Sequence, residues 1–476
     1  MQIPDKMFID GEWVSSESRF DVVDPACEEV IGSVPFAGQR ELDRALDAAS
    51  RGFRTWSRTP GWERGAVLDR ICAAIRADVD RLALLLSREQ GKPLAEASGE
   101  VQSAADYFQW FADEARRLYG RVIDGRAGDR RVLVLHEAVG PVAAFTPNNF
   151  PWLLPARKVA AALAAGCSII LKPAEDVPLS SLALAAVADR AGLPSGVLNV
   201  VTGDPAQISR VLIASKEIRK VSLTGSVPVG KAILRQCADG VKRVSMELGG
   251  HAPVVVLEGA DPVSTASGLV GGKFRNCGQV CVSPSRAFVP ASMYDEFLDE
   301  AVRATEKLVI GSGQEAATDV GPLVSARRLA AVSAMVEDAR GKGATVATGG
   351  GRAKAQMKGY FYEPTVLADV DSSMAVMVNE PFGPILPIRK YNDLDEAIDE
   401  ANSLDVGLAG YVLGPDLLAA DRVARRLDVG MVGINTFAIA LAETPFGGVK
   451  QSGFGSEGGL EGIYEYLRVR YLNTPC

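Results

Sequence analysis

At Val139 the sequence changes rhythm, and that change decides the architecture. From there short apolar runs at 142–146, 168–171, 197–201 and 221–224 alternate with helix-like stretches. Such βαβ alternation implies a parallel sheet covered on both faces. A second series follows Asp261, with strand-like runs at 286–289, 385–388, 410–413 and 431–434 between charged helices. The expected fold class is therefore α/β, two units sharing one cleft, with binding sites at the carboxyl ends of the strands. A chain of 476 residues is long enough for about three domains.

Before that point the rhythm is helical. Val67, Leu68, Ile71, Ile75, Val79, Leu82 and Leu86 recur at steps of three and four, which predicts one helical face over 62–88, stopped by Gly91 and Pro93. A second helix is expected over 100–118, with Tyr107, Phe108, Trp110 and Phe111 packing in the core. The glycine-rich run 341–359 reads as a surface turn region.

Several function classes drop out on composition. With 51 Lys and Arg against 59 Asp and Glu the net charge is −8, which leaves no electrostatic footprint for nucleic acid or an anionic membrane. The longest uncharged run, 138–156, is broken by Pro141, Pro147, Pro151 and Pro155 and does not read as a membrane span. No basic-then-apolar leader opens the chain, so a cytoplasmic location is expected. Seven cysteines without a dense framework suggest reduced thiols. His136 and His251 are the only histidines, so zinc sites built on histidine and most Ser-His-Asp schemes are disfavoured.

Five segments carry candidate chemistry, and each has a plain structural reading beside the functional one. Gly225-Ser-Val-Pro-Val-Gly230-Lys231-Ala232 follows a strand and opens a helix, so it is either an anion cradle or an ordinary turn. Ala232 stands where a P-loop needs a magnesium-binding hydroxyl, which argues against an NTPase. Gly453-Phe-Gly455-Ser-Glu-Gly458 matches GxGxxG without a preceding strand and reads as a turn. Lys172-Pro-Ala-Glu175 suits a nucleotide ribose or a solvated strand end. Cys277 and Cys281, four residues apart, are close enough for one helical turn: a nucleophile, a redox pair or inert buried thiols. Glu247, beside Gly249 and Gly250, is a general base whose pKa burial would raise, or a loop acid. Asn149 in Pro147-Asn-Asn-Phe-Pro151 is an oxyanion donor or bonds its own turn.

Taken in order, Asn149 in its Pro-x-Asn-Phe-Pro frame, Leu171-Lys-Pro, Thr224-Gly-Ser, Glu247-Leu-Gly-Gly, Gly278-Gln-Val-Cys281, Glu380-Pro-Phe-Gly and Pro445-Phe-Gly-Gly resemble the aldehyde dehydrogenase superfamily across the whole chain. That resemblance implies a Rossmann-type NAD-binding domain (1–118 and 140–250), an α/β catalytic domain (251–445) and a small β oligomerisation element (119–139 and 455–476). It implies Cys281 as nucleophile, Asn149 as oxyanion donor and Glu247 as the base that activates water. For the cofactor it implies Lys172 and Glu175 at the adenosine ribose, Gly225, Ser226 and Gly230 at the pyrophosphate turn, and Glu380 with Phe382 at the nicotinamide ribose. Glu175 would repel a 2′-phosphate, favouring NAD over NADP.

Arg157, Arg275 and Ser452 resemble the carboxylate clamp of succinic semialdehyde dehydrogenases, while Ser456-Glu-Gly-Gly459 and His251-Ala-Pro resemble 2-oxoglutarate semialdehyde dehydrogenases. Both imply a short ω-carboxylated aldehyde; a glutarate semialdehyde enzyme, a general aldehyde dehydrogenase and a catalytically silent cofactor-binding protein are the alternatives. Asn148, where the superfamily usually has Trp, Ser456, where Arg is frequent, and Gly203-Asp-Pro, which lacks a common second glycine, depart from the pattern. Alternating apolar and charged residues over 119–137 and 464–472 predict a paired, exposed sheet, which in the resembling family joins subunits into dimers or tetramers.

Overall fold

Chain order reverses in the middle of an eight-stranded sheet, and that reversal locates the site. Five strands run parallel in the order Leu198–Val200, Ile169–Lys172, Val142–Phe145, Lys220–Gly225, Arg243–Leu248. Every residue of Val142–Phe145 and Ile169–Lys172 is buried; with both faces covered, such strands read as unbroken apolar runs. Between Val142–Phe145 and Lys220–Gly225 the winding switches direction, and the carboxyl ends there open a crevice. An N-terminal hairpin, Met7–Ile9 with Glu12–Val14, extends one edge. The two-residue strand Gly453–Phe454 closes the other, antiparallel to Arg243–Leu248. Gly453 is obligatory there: at φ +112° a Cβ would lie 1.9 Å from the Met246 carbonyl oxygen. The computed structural model describes residues 4–353 and 358–475; the middle of the glycine-rich run 341–359 and the first three residues lie outside them.

The second sheet has seven strands, ordered Thr345–Thr348, Thr365–Ala368, Ile385–Tyr391, Arg286–Pro290, Pro253–Val256, Ala409–Leu413, Met431–Ile434. All pairs are parallel except the first. Its inner strand Pro253–Val256 precedes Asp261, so one strand of this sheet comes before the run of strands expected after Asp261. A third, three-stranded antiparallel sheet pairs Leu467–Pro475 with Arg130–Ala138 over its full length and adds Arg121–Asp124 on the far side. It carries Val122, Val469 and Tyr471 at 63%, 67% and 69% exposure. No helix among the described residues is long and apolar enough to cross a membrane.

Two helical expectations need correction. The single helix over 62–88 is two helices, Gly61–Arg76 and Val79–Gln90. Asp78 interrupts it: its carboxylate takes the Arg81 guanidinium instead of continuing a helix, as a short acidic side chain favours helix starts over interiors. Gly91 then ends the second helix in the left-handed conformation, φ 95°. The aromatic helix begins six residues earlier than expected, at Leu94, and runs to Arg116. Pro93 sits at its start, where a fixed φ and a missing N–H cost least. Tyr107, Phe108 and Phe111 are buried in the core.

Candidate active site

The crevice is a cavity of about 260 Å³ that brings Asn149, Glu247 and Cys281 to one wall-lined space. Asn149 follows the strand Val142–Phe145, and Glu247 is the penultimate residue of Arg243–Leu248; it is a strand residue, not a loop acid. Gly225 and Ser226 border the same cavity from the end of Lys220–Gly225, and Glu380 and Phe382 border it from the opposite unit. Four residues here keep buried oxygens with no hydrogen-bond partner: Asn149 Oδ1, Thr224 Oγ1, Glu380 Oε1 and both Glu247 oxygens. Buried polar atoms are rarely left unpaired, so their concentration in one cavity marks a place built for a polar ligand.

Cys277 and Cys281 do not share a helical turn. Arg275–Gly278 is a tight turn in which Asn276 (φ 49°), Cys277 (φ 54°) and Gly278 (φ 69°) are all left-handed. For residues other than glycine this costs roughly 1–2 kcal/mol each, and such strain persists only where surrounding contacts impose it. Gly278 is pressed against the opposite loop, where a Cβ would fall 2.2 Å from the Gly383 carbonyl oxygen. The turn thus locks against the segment that carries Glu380. Cys277 is fully buried and Cys281 partly exposed, both as free thiols.

Loss of water dominates the electrostatics. Burial, and then the charge of Glu457, push Glu247 up to about 7; burial pushes Glu380 up to about 8. Burial and the facing carboxyls of Glu247 and Glu380 hold the Cys281 thiol well above its usual range, Arg157 pulling the other way. Burial, and then the charge of Glu96, raise the Cys277 thiol, with Lys273 pulling the other way. Behind Glu247 sits a pair that the motifs did not reveal: Lys158 forms an ion pair with Glu457 and bonds the Ser222 hydroxyl at 3.0 Å. Its partners stand 299 positions apart, beyond the reach of any local spacing rule. Asn149 Nδ2 donates to the Gln279 carbonyl at 3.0 Å, which turns the amide's nitrogen toward the Cys281 loop and leaves one N–H free.

The cofactor candidates divide. Ser226 caps the helix Val227–Asp239 by position, but its side chain makes no capping bond, so first-turn N–H groups stay available to an anion. Glu380 faces Gly249, where a Cβ would lie 2.5 Å from Glu380 Oε2; with its other oxygen unpartnered, this carboxyl suits a ribose hydroxyl. Arg328, absent from the sequence expectations, lines the cavity and stacks 5.5 Å from the Phe382 ring. Lys172 and Glu175 lie at the end of the neighbouring strand and form an ion pair at 2.9 Å. Gly230 requires correction: it is buried against the sheet, where a Cβ would come within 2.4 Å of Leu248 Cδ1. It permits close helix–strand packing and does not face the cavity. Asn148, at the cavity rim, donates to Asp176 at 2.7 Å.

The three clamp candidates also separate. Arg157, on the helix Leu153–Ala165, is 2% exposed, with its guanidinium 4.1 Å from the Phe446 ring centroid and 5.1 Å from Tyr107. Among the described residues no carboxylate lies in ion-pair range of it, and its Nε has no partner. Arg275 is exposed and sits 5.4 Å from the Phe150 ring. Ser452 is not available: fully buried, its hydroxyl accepts from the Gly407 N–H and donates to the Gly249 carbonyl, both at 2.9 Å. It ties the second unit to the glycines after Glu247. His251 likewise is engaged in the interior, by Ser285 and the Val376 carbonyl.

Residues 13–472 match the aldehyde dehydrogenase family. The chain is 45% identical to a 3-sulfolactaldehyde dehydrogenase of Pseudomonas putida, over 98% of this chain and 96% of the relative. It is 42% identical, with the same coverage, to an NADP(+) succinate-semialdehyde dehydrogenase of Escherichia coli. It superposes with a TM-score of 0.97 on the crystal structure of a succinate-semialdehyde dehydrogenase from Burkholderia pseudomallei, 42% identical, covering 100% of this chain and 98% of that one.

A stability cost at Glu247 is measurable. Its folded pKa of about 7 exceeds the ordinary value of 4.5, so the folded chain holds the proton longer than the unfolded one. That contribution is fully present below about 4.5 and is lost as pH rises through about 7. Glu247→Gln, uncharged at all pH, is therefore expected to unfold at a higher temperature than the parent at pH 8, by about 3 kcal/mol of stability, with the difference closing towards pH 5. Thermal scans of both proteins across this range check it.

Proposed function

We propose that the chain, which belongs to the aldehyde dehydrogenase family, oxidises a short aldehyde bearing a second, anionic group at its far end, succinate semialdehyde foremost, to the corresponding acid. NAD(P)-dependent aldehyde oxidation is the reaction of this family; the substrate and the residue roles below are the proposal. The observation that carries it is the convergence of a thiol, a carboxyl near neutrality and a carboxamide N–H on one dry cavity.

Cys281 Sγ attacks the aldehyde carbon, its proton passing to the facing Glu247 carboxylate. The carbonyl oxygen becomes an oxyanion, which the free Asn149 N–H stabilises. Bound cofactor supplies the acceptor for the hydride that leaves this thiohemiacetal, and a thioester on Cys281 remains. Glu247 first hands the thiol proton on towards Glu457, whose Oε2 is unpartnered, and so regains its charge. It then takes a proton from water, whose oxygen attacks the thioester, and returns that proton to the departing Cys281 thiolate as the acid is released. Ser226 and the uncapped helix end would take the pyrophosphate, and Glu380, flanked by Phe382 and Arg328, the nicotinamide ribose. The Glu175 carboxylate beside Lys172 supports NAD+ over NADP+, because a 2′-phosphate there would meet a negative charge.

Arg157 supports the anionic substrate. Burial disfavours its guanidinium and the charges of Glu457 and Glu247 offset this from beyond ion-pair range, so a ligand carboxylate in direct contact would add a charge-assisted bond and fix how deep the aldehyde reaches towards Cys281. Arg275, exposed at the turn that leads to Cys281, would be the second arm. An ω-sulfonate, as in the relative named for 3-sulfolactaldehyde, presents the same charge. The apolar residues exposed on the three-stranded sheet support its role as the surface that joins copies of the chain.

Three measurements test this reading. NADH formation from carboxylated, sulfonated and neutral aldehydes should favour the anionic ones. Arg157→Ala and Arg275→Ala should each raise KM for the best of these by about 10- to 100-fold while sparing neutral aldehydes; equal loss on both kinds would return the arginines to structural duty. The kcat profile should rise with pH through about 7 as Glu247 ionises. Glu247→Gln should flatten it and accumulate an acyl adduct visible by intact mass, and Cys281→Ser should abolish turnover. Sedimentation at micromolar concentration should give a dimer or tetramer, and charged substitutions of Val469 and Tyr471 should shift it towards monomer.

A further inference from the structure

The chemistry just proposed needs two loops in register, the one bearing Asn149 and the one from Arg275 to Cys281, and a single helix touches both. On Leu94–Arg116, Glu100 accepts the backbone N–H groups of Trp152 (2.8 Å) and Leu153 (3.2 Å) with one oxygen and pairs with the buried Lys92 through the other. Lys92 Nζ donates onward to the Asn149 carbonyl at 2.8 Å. One helical turn earlier on the same face, Glu96 Oε2 accepts the backbone N–H of Asn276 at 2.8 Å. The Asn276 side chain returns to the start: its Nδ2 donates to the same Asn149 carbonyl at 3.0 Å. The circuit from helix to turn to loop and back to helix is closed.

Glu96 is the link that needs explaining. Asn276 is 1% exposed and left-handed, a conformation that turns its N–H towards the helix. A carboxylate there makes a charge-assisted bond; without an acceptor the N–H would be buried and unpaired, and the turn would relax towards negative φ. Relaxation would withdraw the Asn276 carboxamide from Asn149 and shift the residues between it and Cys281. Arg275, the neighbouring residue, faces the same carboxylate electrostatically.

We propose that Glu96 is a positioning residue: by accepting the Asn276 N–H it holds the Arg275–Gly278 turn left-handed and so keeps the Cys281 thiol in register with the Asn149 N–H. This rests on the reading that Cys281 and Asn149 carry the chemistry. It gives Glu96 no contact with substrate.

The test is single-turnover NADH formation by the full chain with NAD+ and succinate semialdehyde, normalised to the Cys281 thiols that iodoacetamide titrates. Normalisation removes misfolded protein from the comparison. Glu96→Ala is expected to slow the step by about 10- to 100-fold with NAD+ affinity unchanged, and Glu96→Gln, which keeps an oxygen acceptor, to stay within about threefold of the parent. Should Glu96→Ala yield too few titratable thiols, Glu96→Asp carries the test, since a charge one methylene short should slow the step about tenfold. A rate for Glu96→Ala or Glu96→Asp within about twofold of the parent, or Glu96→Gln as slow as Glu96→Ala, overturns the proposal. Cys281→Ser is run beside them: NADH from that variant would sink the site reading itself, whereas its silence together with a normal Glu96→Ala sinks only the role of Glu96.

Discussion

Three ionisable groups crowd together at the carboxyl end of a parallel sheet, Glu247 buried and Glu380 and Cys281 half-buried, and the character of the site follows from how little water each can reach. Glu247, Glu380 and Cys281 face one another with no cation in ion-pair contact among the described residues. In bulk water all would sit at ordinary values; here each charge must be stabilised by a neighbour or be given up. The carboxyls move into the range where a proton can be taken and returned near neutral pH. Arg157 is the converse case, a buried cation packed against Phe446 and Tyr107 with no carboxylate in ion-pair range among the described residues.

Backbone strain supplies the second ingredient. Asn276 and Cys277 occupy a conformation that neither would choose alone, and contacts from three directions hold them: Glu96 on the long helix, the Asn149 carbonyl, and the loop at Gly383. Each contact belongs to a different part of the chain. The placement of the Cys281 thiol is thus a property of the assembled molecule, not of the local sequence around it.

What could be read from the sequence divides along the same line. The strands Val142–Phe145, Ile169–Lys172 and Ala409–Leu413 were legible because burial on both faces leaves an apolar run of the right length. The break at Asp78 was not, since the apolar positions on either side keep helical spacing across it. Asn149, Glu247 and Cys281 could be singled out through ordered motifs, although each alone was open to a plain structural reading. Ser452 and Gly230 show the limit of that reasoning: both occupy motif positions, yet one hydroxyl is taken up by two backbone groups and the glycine packs a helix onto a strand. Lys158, Glu96 and Arg328 left no signal, because their contacts are distant in sequence, and Glu457, although inside a quoted motif, gave no hint that it would be buried against Lys158.

The short strand Gly453–Phe454 has a consequence for how the molecule is made. It pairs with Met246 and Glu247, so the edge of the first sheet that carries Glu247 is completed by a segment roughly 200 residues further along. A chain emerging from the ribosome N-terminus first therefore presents Arg243–Leu248 as an open edge for about ten seconds or more at ordinary elongation rates. An uncovered edge invites pairing with another chain. During that interval the nascent protein depends on the helices already packed beside it, or on a chaperone, to stay solitary, and the Glu247 carboxyl acquires its buried surroundings only when synthesis is nearly complete.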